Sequence, residues 1–277
     1  MFNVHAATAT APAVSPLPSV PANALRARPL ATPAPKRVDA EAYQRASQQI
    51  TDTLAVLRDT LAPQRRVVHA GDIVHSAGEQ FTHLFIVNAG LYKVINLTPD
   101  GREQVVGLKF RGDWLGFDGI AGQQYTCDAI AMDTGEVWMV RYDALLASAA
   151  RQPVLMSLLH EAMSREIRRD RDSLMAVCTL PADARVADFL RDWADSLARR
   201  GLRTDQITLR MTRAEIGNYL GMTLETVSRA LSKLAKQQLI GFDGKGRRDI
   251  RIPDVAALTA FVQDCVAPEA NGGVTLQ

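Results

Sequence analysis

The chain changes its hydrophobic period three times. Between residues 64 and 142 apolar residues come in short runs: Arg66–His69, Ile73–His75, Leu84–Val87, Tyr92–Leu97, Gln104–Leu108 and Val137–Val140. Turns separate them, among them Ala70-Gly71-Asp72, Ala77-Gly78-Glu79, Asn88-Ala89-Gly90 and Pro99-Asp100-Gly101. Short strands with regular turn signals predict an antiparallel sandwich or barrel, most simply a jelly-roll-like β-roll. Before it, Ile50, Leu54, Leu57 and Leu61 lie on one face of a predicted amphipathic helix over 39–61. After it, from about Gln152 to Val177, Met156, Leu159, Met163, Ile167, Asp170, Leu174 and Val177 recur at spacings of 3, 4, 4, 3, 4, 3. That is a heptad seam on a helix of about 39 Å at 1.5 Å per residue. It fits packing on its own domain, or a parallel two-stranded coiled coil.

The last pattern is two helices around a tight turn, over residues 212–240. Thr212 and Glu215 have the spacing of a capping box. Ile216 and Leu220 share a face, and Gly221 supplies the turn. Thr223 starts a second helix with Val227, Leu231 and Leu234 as its buried stripe. Opposite that stripe stand Glu225, Thr226, Ser228 and Arg229. An apolar side that holds the fold and polar N-terminal turns that face base edges are what a recognition helix needs. Arg229 can donate two parallel bonds to guanine O6 and N7, and Glu225 can accept from the cytosine amine. An ordinary surface pair at i, i+4 is the competing reading of those two residues. Next, Ile240–Ile252 reads as two short strands around a Gly-rich basic turn, a wing that sets Lys245, Arg247 and Arg248 near phosphate. A plain solvated hairpin is its alternative.

Charge decides between these readings. Residues 196–252 hold twelve Lys/Arg against five Asp/Glu, while the whole chain is only +2. Positive charge gathered on one segment is the footprint of phosphate binding. At 277 residues the chain has room for two domains and tails. Residues 1–38 hold seven prolines and no acidic residue, a composition that predicts a disordered tail, and Pro12, Pro16, Pro18 and Pro21 interrupt any signal-peptide core. The residues from Ala267 read the same way. No run of eighteen uncharged apolar residues predicts a membrane span. Three widely spaced cysteines fit a reducing cytoplasm better than a disulfide framework.

These motifs together resemble the CRP/FNR superfamily of bacterial transcription regulators over roughly residues 64–253. The second helix is especially similar to the FNR branch, whose Glu-x-x-Ser-Arg stands here as Glu225, Ser228 and Arg229. The catabolite-activator branch has Arg and Gly where this chain has Leu224 and Ser228. The resemblance implies an α+β architecture. A β-roll effector domain (39–150) would follow the tail, then a dimerisation helix (151–178). A winged helix-turn-helix (179–253, the helix pair at about 212–232) and a C-terminal helix and tail (254–277) would close it. It implies a cytoplasmic, non-enzymatic activator-type regulator that binds double-stranded DNA as a homodimer at a TTGAT…ATCAA palindrome. Glu225 and Arg229 would read a G·C pair and Ser228 a neighbouring T. Thr212, Arg213 and Thr226 would complete the contact set. RNA polymerase would meet the loop Pro99-Asp100-Gly101-Arg102-Glu103, whose alternative is an ordinary hairpin tip. Palindromic DNA demands a two-fold protein, which favours dimerisation through Met156, Leu159, Met163, Ile167, Asp170 and Leu174. Asp170, matched by Asp in FNR-like proteins, would tune that equilibrium or simply rotate to solvent.

The signal is less legible. In the stretch Gly112–Asp118 and at Gln124-Tyr125-Thr126-Cys127 the Arg-Ser pair of the family's cAMP site is missing, so no standard cAMP site is expected. Cys127, Cys178 and Cys265 cannot supply the four thiolates of an FNR-type iron–sulfur cluster, and the tail has no cysteine. His69, His75 and His83 show no ligand spacing, so no metal is expected and haem stays open. Cys178, where the long helix hands over just before Pro181, is a candidate redox thiol with an inert cysteine as its alternative. Two other classes compete: a non-specific architectural DNA binder, and a ligand-binding module of an enzyme system. No phosphate loop, HExxH or nucleophile elbow supports the enzyme class.

Overall fold

Eight strands build the N-terminal half of the computed structural model, which describes residues 40–98, 101–243 and 248–266. The expectations for the two tails, for Pro99 and Asp100, and for Lys245 and Arg247 fall outside those residues. Helix α1 (Ala40–Leu61) buries Leu54 and Leu57 as its period requires. Strands β1 (Gln64–Val68), β2 (Ile73–His75), β3 (His83–Ala89), β4 (Tyr92–Leu97), β5 (Glu103–Lys109), β6 (Trp114–Leu115), β7 (Asp128–Ala131) and β8 (Gly135–Arg141) follow, with the single turn α2 (Gly119–Gly122) before β7. They form two antiparallel four-stranded sheets, ordered β1-β8-β3-β6 and β2-β7-β4-β5. Leu84, Ile86, Tyr92, Ala129, Val137 and Val140 pack in the core of this roll. β6 and β7, of two and four residues, lie outside the runs read as strands in the sequence.

Helix α3 (Tyr142–Ala149) leads to α4 (Pro153–Thr179), whose Leu155, Leu159 and Ala162 are buried against the roll and α1. The heptad seam therefore splits. Met156, Leu159 and Met163 pack on their own domain, whereas Ile167 and Leu174 stay 49% and 63% exposed. A stripe that serves two surfaces looks uniform in sequence, because both surfaces ask for the same period.

The C-terminal half consists of α5 (Ala182–Ala198), β9 (Gln206–Thr208), α6 (Arg213–Leu220), α7 (Leu224–Lys236), β10 (Gly241–Asp243), β11 (Asp249–Arg251) and α8 (Val255–Val266). The wing is a three-stranded sheet, β10-β11-β9, one strand more than the hairpin expected. α8 buries Leu258 and Val262 beside Leu190, Leu231 and Leu234, so it belongs to this core rather than to a tail. Leu91, Ile95, Val105 and Phe110 of the roll join the same core. No helix among the described residues is long and apolar enough to cross a membrane.

Candidate nucleic-acid interface

Two caps and one close approach shape the helix pair. Thr212 Oγ1 accepts from the Glu215 amide at 3.2 Å while Glu215 Oε2 accepts from the Thr212 amide at 2.8 Å, the capping box expected. Gly221 ends α6 at φ +64°, and Gly217 lies against the Met222 carbonyl with no room for a side chain. Thr223 Oγ1 then accepts from the Thr226 amide at 3.3 Å to open α7. Val227, Ala230, Leu231 and Leu234 are buried on one side of α7. Glu225 and Arg229 are exposed on the other, with Thr226 and Ser228 half-buried beside them. Arg229 donates to the Thr226 hydroxyl at 3.4 Å. The Glu225 carboxyl is held below the usual range, first by its own backbone amide and by Thr223, and only then by Arg229.

Arg213, on the first turn of α6, lies over the Phe242 ring at 5.9 Å and ties α6 to β10. Arg248 is exposed at the base of the wing, and its carbonyl accepts from the Leu209 amide at 2.9 Å.

What pattern reading missed is how this half is held to the roll. β5 is the edge of its sheet, and the Asn218 amide of α6 completes it. Asn218 Oδ1 accepts from the Val105 amide, Asn218 Nδ2 donates to the Glu103 carbonyl, and Gln104 Nε2 donates to the Asn218 carbonyl, each at 2.6 Å. Lys93 Nζ donates to Glu215 at 2.6 Å, and Arg210 pairs with Asp133 at 2.9 Å. A deeper tie is Asp113, which accepts from Arg169 of α4 at 2.8 Å, from Arg200 at 3.1 Å and from the Phe110 amide at 2.9 Å. Burial pushes the Asp113 carboxyl up, but the two guanidinium groups outweigh it and hold it below the usual range. Arg200 is lowered to about 10 by burial, because the carboxylate it faces is shared with Arg169. Such partners lie 56 and 87 residues apart, and no local signal links them.

Asp188 of α5 has the opposite balance. Burial first, then Asp192, raises its pKa to about 6 despite Arg191 at 2.8 Å. A carboxyl raised in the fold opposes folding when ionised, so stability rises as pH falls from above 6 towards the unfolded value near 4. At pH 8, Asp188→Asn is expected to raise the unfolding free energy by up to about 3 kcal/mol, with the gain fading below pH 4. Denaturant titrations of both proteins at the two pH values check this; a variant no more stable at pH 8 removes the assignment.

Beside the roll, a cavity of about 590 Å³ opens between β5, the loop around Trp114–Asp118 and α4. His75, buried and stacked on Tyr125 at 4.2 Å, lies at its edge. His69 is exposed near Asp72, and His83 accepts or donates at Thr82 Oγ1. Among the described residues no group of three or more His, Cys, Asp or Glu side chains could hold a metal ion. Cys178 is exposed on the last turn of α4, Cys265 is exposed on α8, and Cys127 is buried at the cavity.

Roll, long helix and winged helix pair define a regulator in which an effector-type domain carries a DNA reader. Residues 65–152 match the cyclic nucleotide-binding domain and residues 184–261 the Crp-like helix-turn-helix domain. The fumarate and nitrate reduction regulatory protein of Yersinia pestis is 32% identical over 187 residues, 68% of this chain and 75% of that protein. Electron transport regulator A of Shewanella oneidensis is 32% identical over the same shares of each chain. The structure of FixK2 from Bradyrhizobium japonicum superposes with a TM-score of 0.64 at 27% identity, covering 75% of this chain and 99% of that one. The chain belongs to the CRP/FNR family of transcription regulators, with a cyclic nucleotide-binding-like domain and a DNA-binding helix-turn-helix.

Proposed function

We propose that this regulator binds, as a homodimer in the cytoplasm, an FNR-like palindrome of the form TTGAT…ATCAA and acts on transcription through contacts with RNA polymerase. The observation that carries the reading is α7, a helix capped at its N-terminus by Thr223 that buries one face and exposes Glu225 and Arg229 on the other. Ile167 and Leu174, exposed on α4, supply the dimer seam. Asp170 stands between them, its carboxyl raised by burial and by Glu166.

Arg229→Ala is expected to cost about 1–3 kcal/mol of binding and to relax preference at one base pair, as a lost bidentate guanine contact does. Fluorescence anisotropy at fixed salt, with the palindromic duplex against a scrambled one, reads both effects. Equal affinity of the unaltered protein for the two duplexes would instead mark an architectural binder. Leu174→Asp is expected to shift the protein towards monomer in sedimentation velocity and to weaken palindrome binding in parallel; an unchanged dimer places the interface elsewhere.

We also propose that no iron–sulfur cluster or other resident metal is involved, since one chain holds three cysteines and a cluster needs four thiolates. An absorbance spectrum and metal analysis of anaerobically purified protein tests this. The roll's cavity does not suit a cyclic nucleotide either: among the described residues no arginine lines it, Asp118, Glu166 and Asp170 do, and Lys109 is paired with Glu166.

A further inference from the structure

The DNA reader is fused to the roll rather than hinged on it. Leu91, Ile95, Val105 and Phe110 belong to the roll by sequence, yet each is at most 8% exposed and packs in the core of the DNA-binding half. Phe110 meets Trp193 of α5 edge to face at 5.8 Å, and Leu108, Ile130 and Met132 pack against the same core. Across the sheet Ile130 pairs with Lys93 and Lys93 with Leu108, so one row over β7, β4 and β5 faces the reader.

Polar groups complete the joint. Asn218 fills the β5 edge, Lys93 holds Glu215, and Asp113 is shared by Arg169 and Arg200. α1 adds a tie of its own, Tyr43 OH donating to Asp195 of α5 at 2.7 Å. Domains that meet through small polar contacts move by default, whereas a large apolar joint resists motion. Parting these halves would return buried apolar side chains to water and strand the charges of Asp113 and Arg200. It would not open the reading face, which is open already. The ties run through α5, Arg200, Arg210 and α6, while Glu225 and Arg229 stand exposed on α7 with the joint closed.

We propose that the reader stays docked on the roll when it binds DNA, and that this regulator is not switched by rotation of its DNA-binding half. A ligand shifts an equilibrium by no more than its differential affinity for the two arrangements, so a joint this apolar resists being opened by one. Control would then act on the α4 seam, where Ile167 and Leu174 are exposed. The proposal rests on the regulator reading for the DNA partner, not for the joint.

A covalent tether tests this. In the full chain carrying Cys178→Ser and Cys265→Ser, the changes Asp133→Cys and Arg210→Cys replace an ion pair whose side chains are 41% and 48% exposed, within reach of a short bis-maleimide. Cys127 is buried and stays. The cross-link is expected to form within one chain. The cross-linked protein is then expected to bind the palindromic duplex within about threefold of the same variant before cross-linking. Absence of an intramolecular cross-link, or a larger loss of affinity, overturns the proposal. The unsubstituted protein gives a second reading. Its Val105 amide, which donates to Asn218, should exchange hydrogen no faster in the DNA complex than in the free protein, and faster exchange there overturns the proposal as well. Calorimetry needs no DNA: one unfolding transition is expected for the full chain, and two resolved transitions overturn the docked joint. If the duplex is not bound at all, the palindrome reading fails, while calorimetry and the cross-link yield still decide the joint.

Discussion

Asp113→Asn is expected to lower the unfolding free energy by about 3–5 kcal/mol, the cost of leaving a buried ion pair half made. The Asp113 side chain is 7% exposed and that of Arg200 5%, so water cannot replace the lost carboxylate. Arg200 has few alternatives there. It donates to the carbonyls of Arg111 at 2.8 Å and Ser196 at 2.7 Å and lies over the Phe110 ring at 4.9 Å, but its charge is balanced only by the carboxylate it shares with Arg169. The damage should be specific to the joint between the two halves, because Asp113 belongs to the roll, Arg169 to the long helix and Arg200 to the DNA-binding half. Hydrogen exchange should therefore accelerate first at Asn218, Val105 and the last turn of α5. Because the Asp113 carboxyl is depressed in the fold, its stabilisation is present above the unfolded value near 4 and is lost as pH falls through the lower folded value. The gap between wild type and variant should close on acidification. A variant as stable as wild type at neutral pH would show that the cluster does not hold the joint.

Gly217→Ala is expected to abolish specific DNA binding while adding only one methyl group. A Cβ on Gly217 would stand 2.5 Å from the Met222 carbonyl oxygen and 3.2 Å from the Thr223 carbonyl carbon, both backbone atoms of the turn. The turn cannot yield cheaply, since the Met222 amide donates to the Gly217 carbonyl at 2.8 Å and Gly221 closes α6 in the left-handed region. Alanine improves helix propensity by about 1 kcal/mol, but overpacking costs about 1–3 kcal/mol or more and would move α7 relative to α6. A shift of the recognition helix should cost far more in palindrome affinity than in melting temperature. Circular dichroism and anisotropy on the same variant check the two together; an unaltered affinity would mean the helices do not approach as closely as this.

Local rules account for the reader. Thr212, Glu215, Gly221 and Thr223 act through residues three or four positions away, so caps, turn and buried stripe could all be read from spacing. Strands β3, β4, β5 and β8 were legible as apolar runs bounded by turn signals, whereas β6 and β7 were not. Gly217 escaped notice because its constraint is the neighbouring helix, not its own backbone angle.

The chain by itself determined the class of fold, the recognition helix and its exposed Glu225 and Arg229, because helix caps and amphipathic periods are encoded within a few residues. Only tertiary structure decided that Leu159 serves its own domain while Leu174 stays exposed. It alone brought Asp113 to Arg200 and set Asn218 on the edge of β5. Those outcomes depend on desolvation and on contacts between segments many tens of residues apart, where burial turns an ordinary charge or ring into a strong constraint and no sequence period records it.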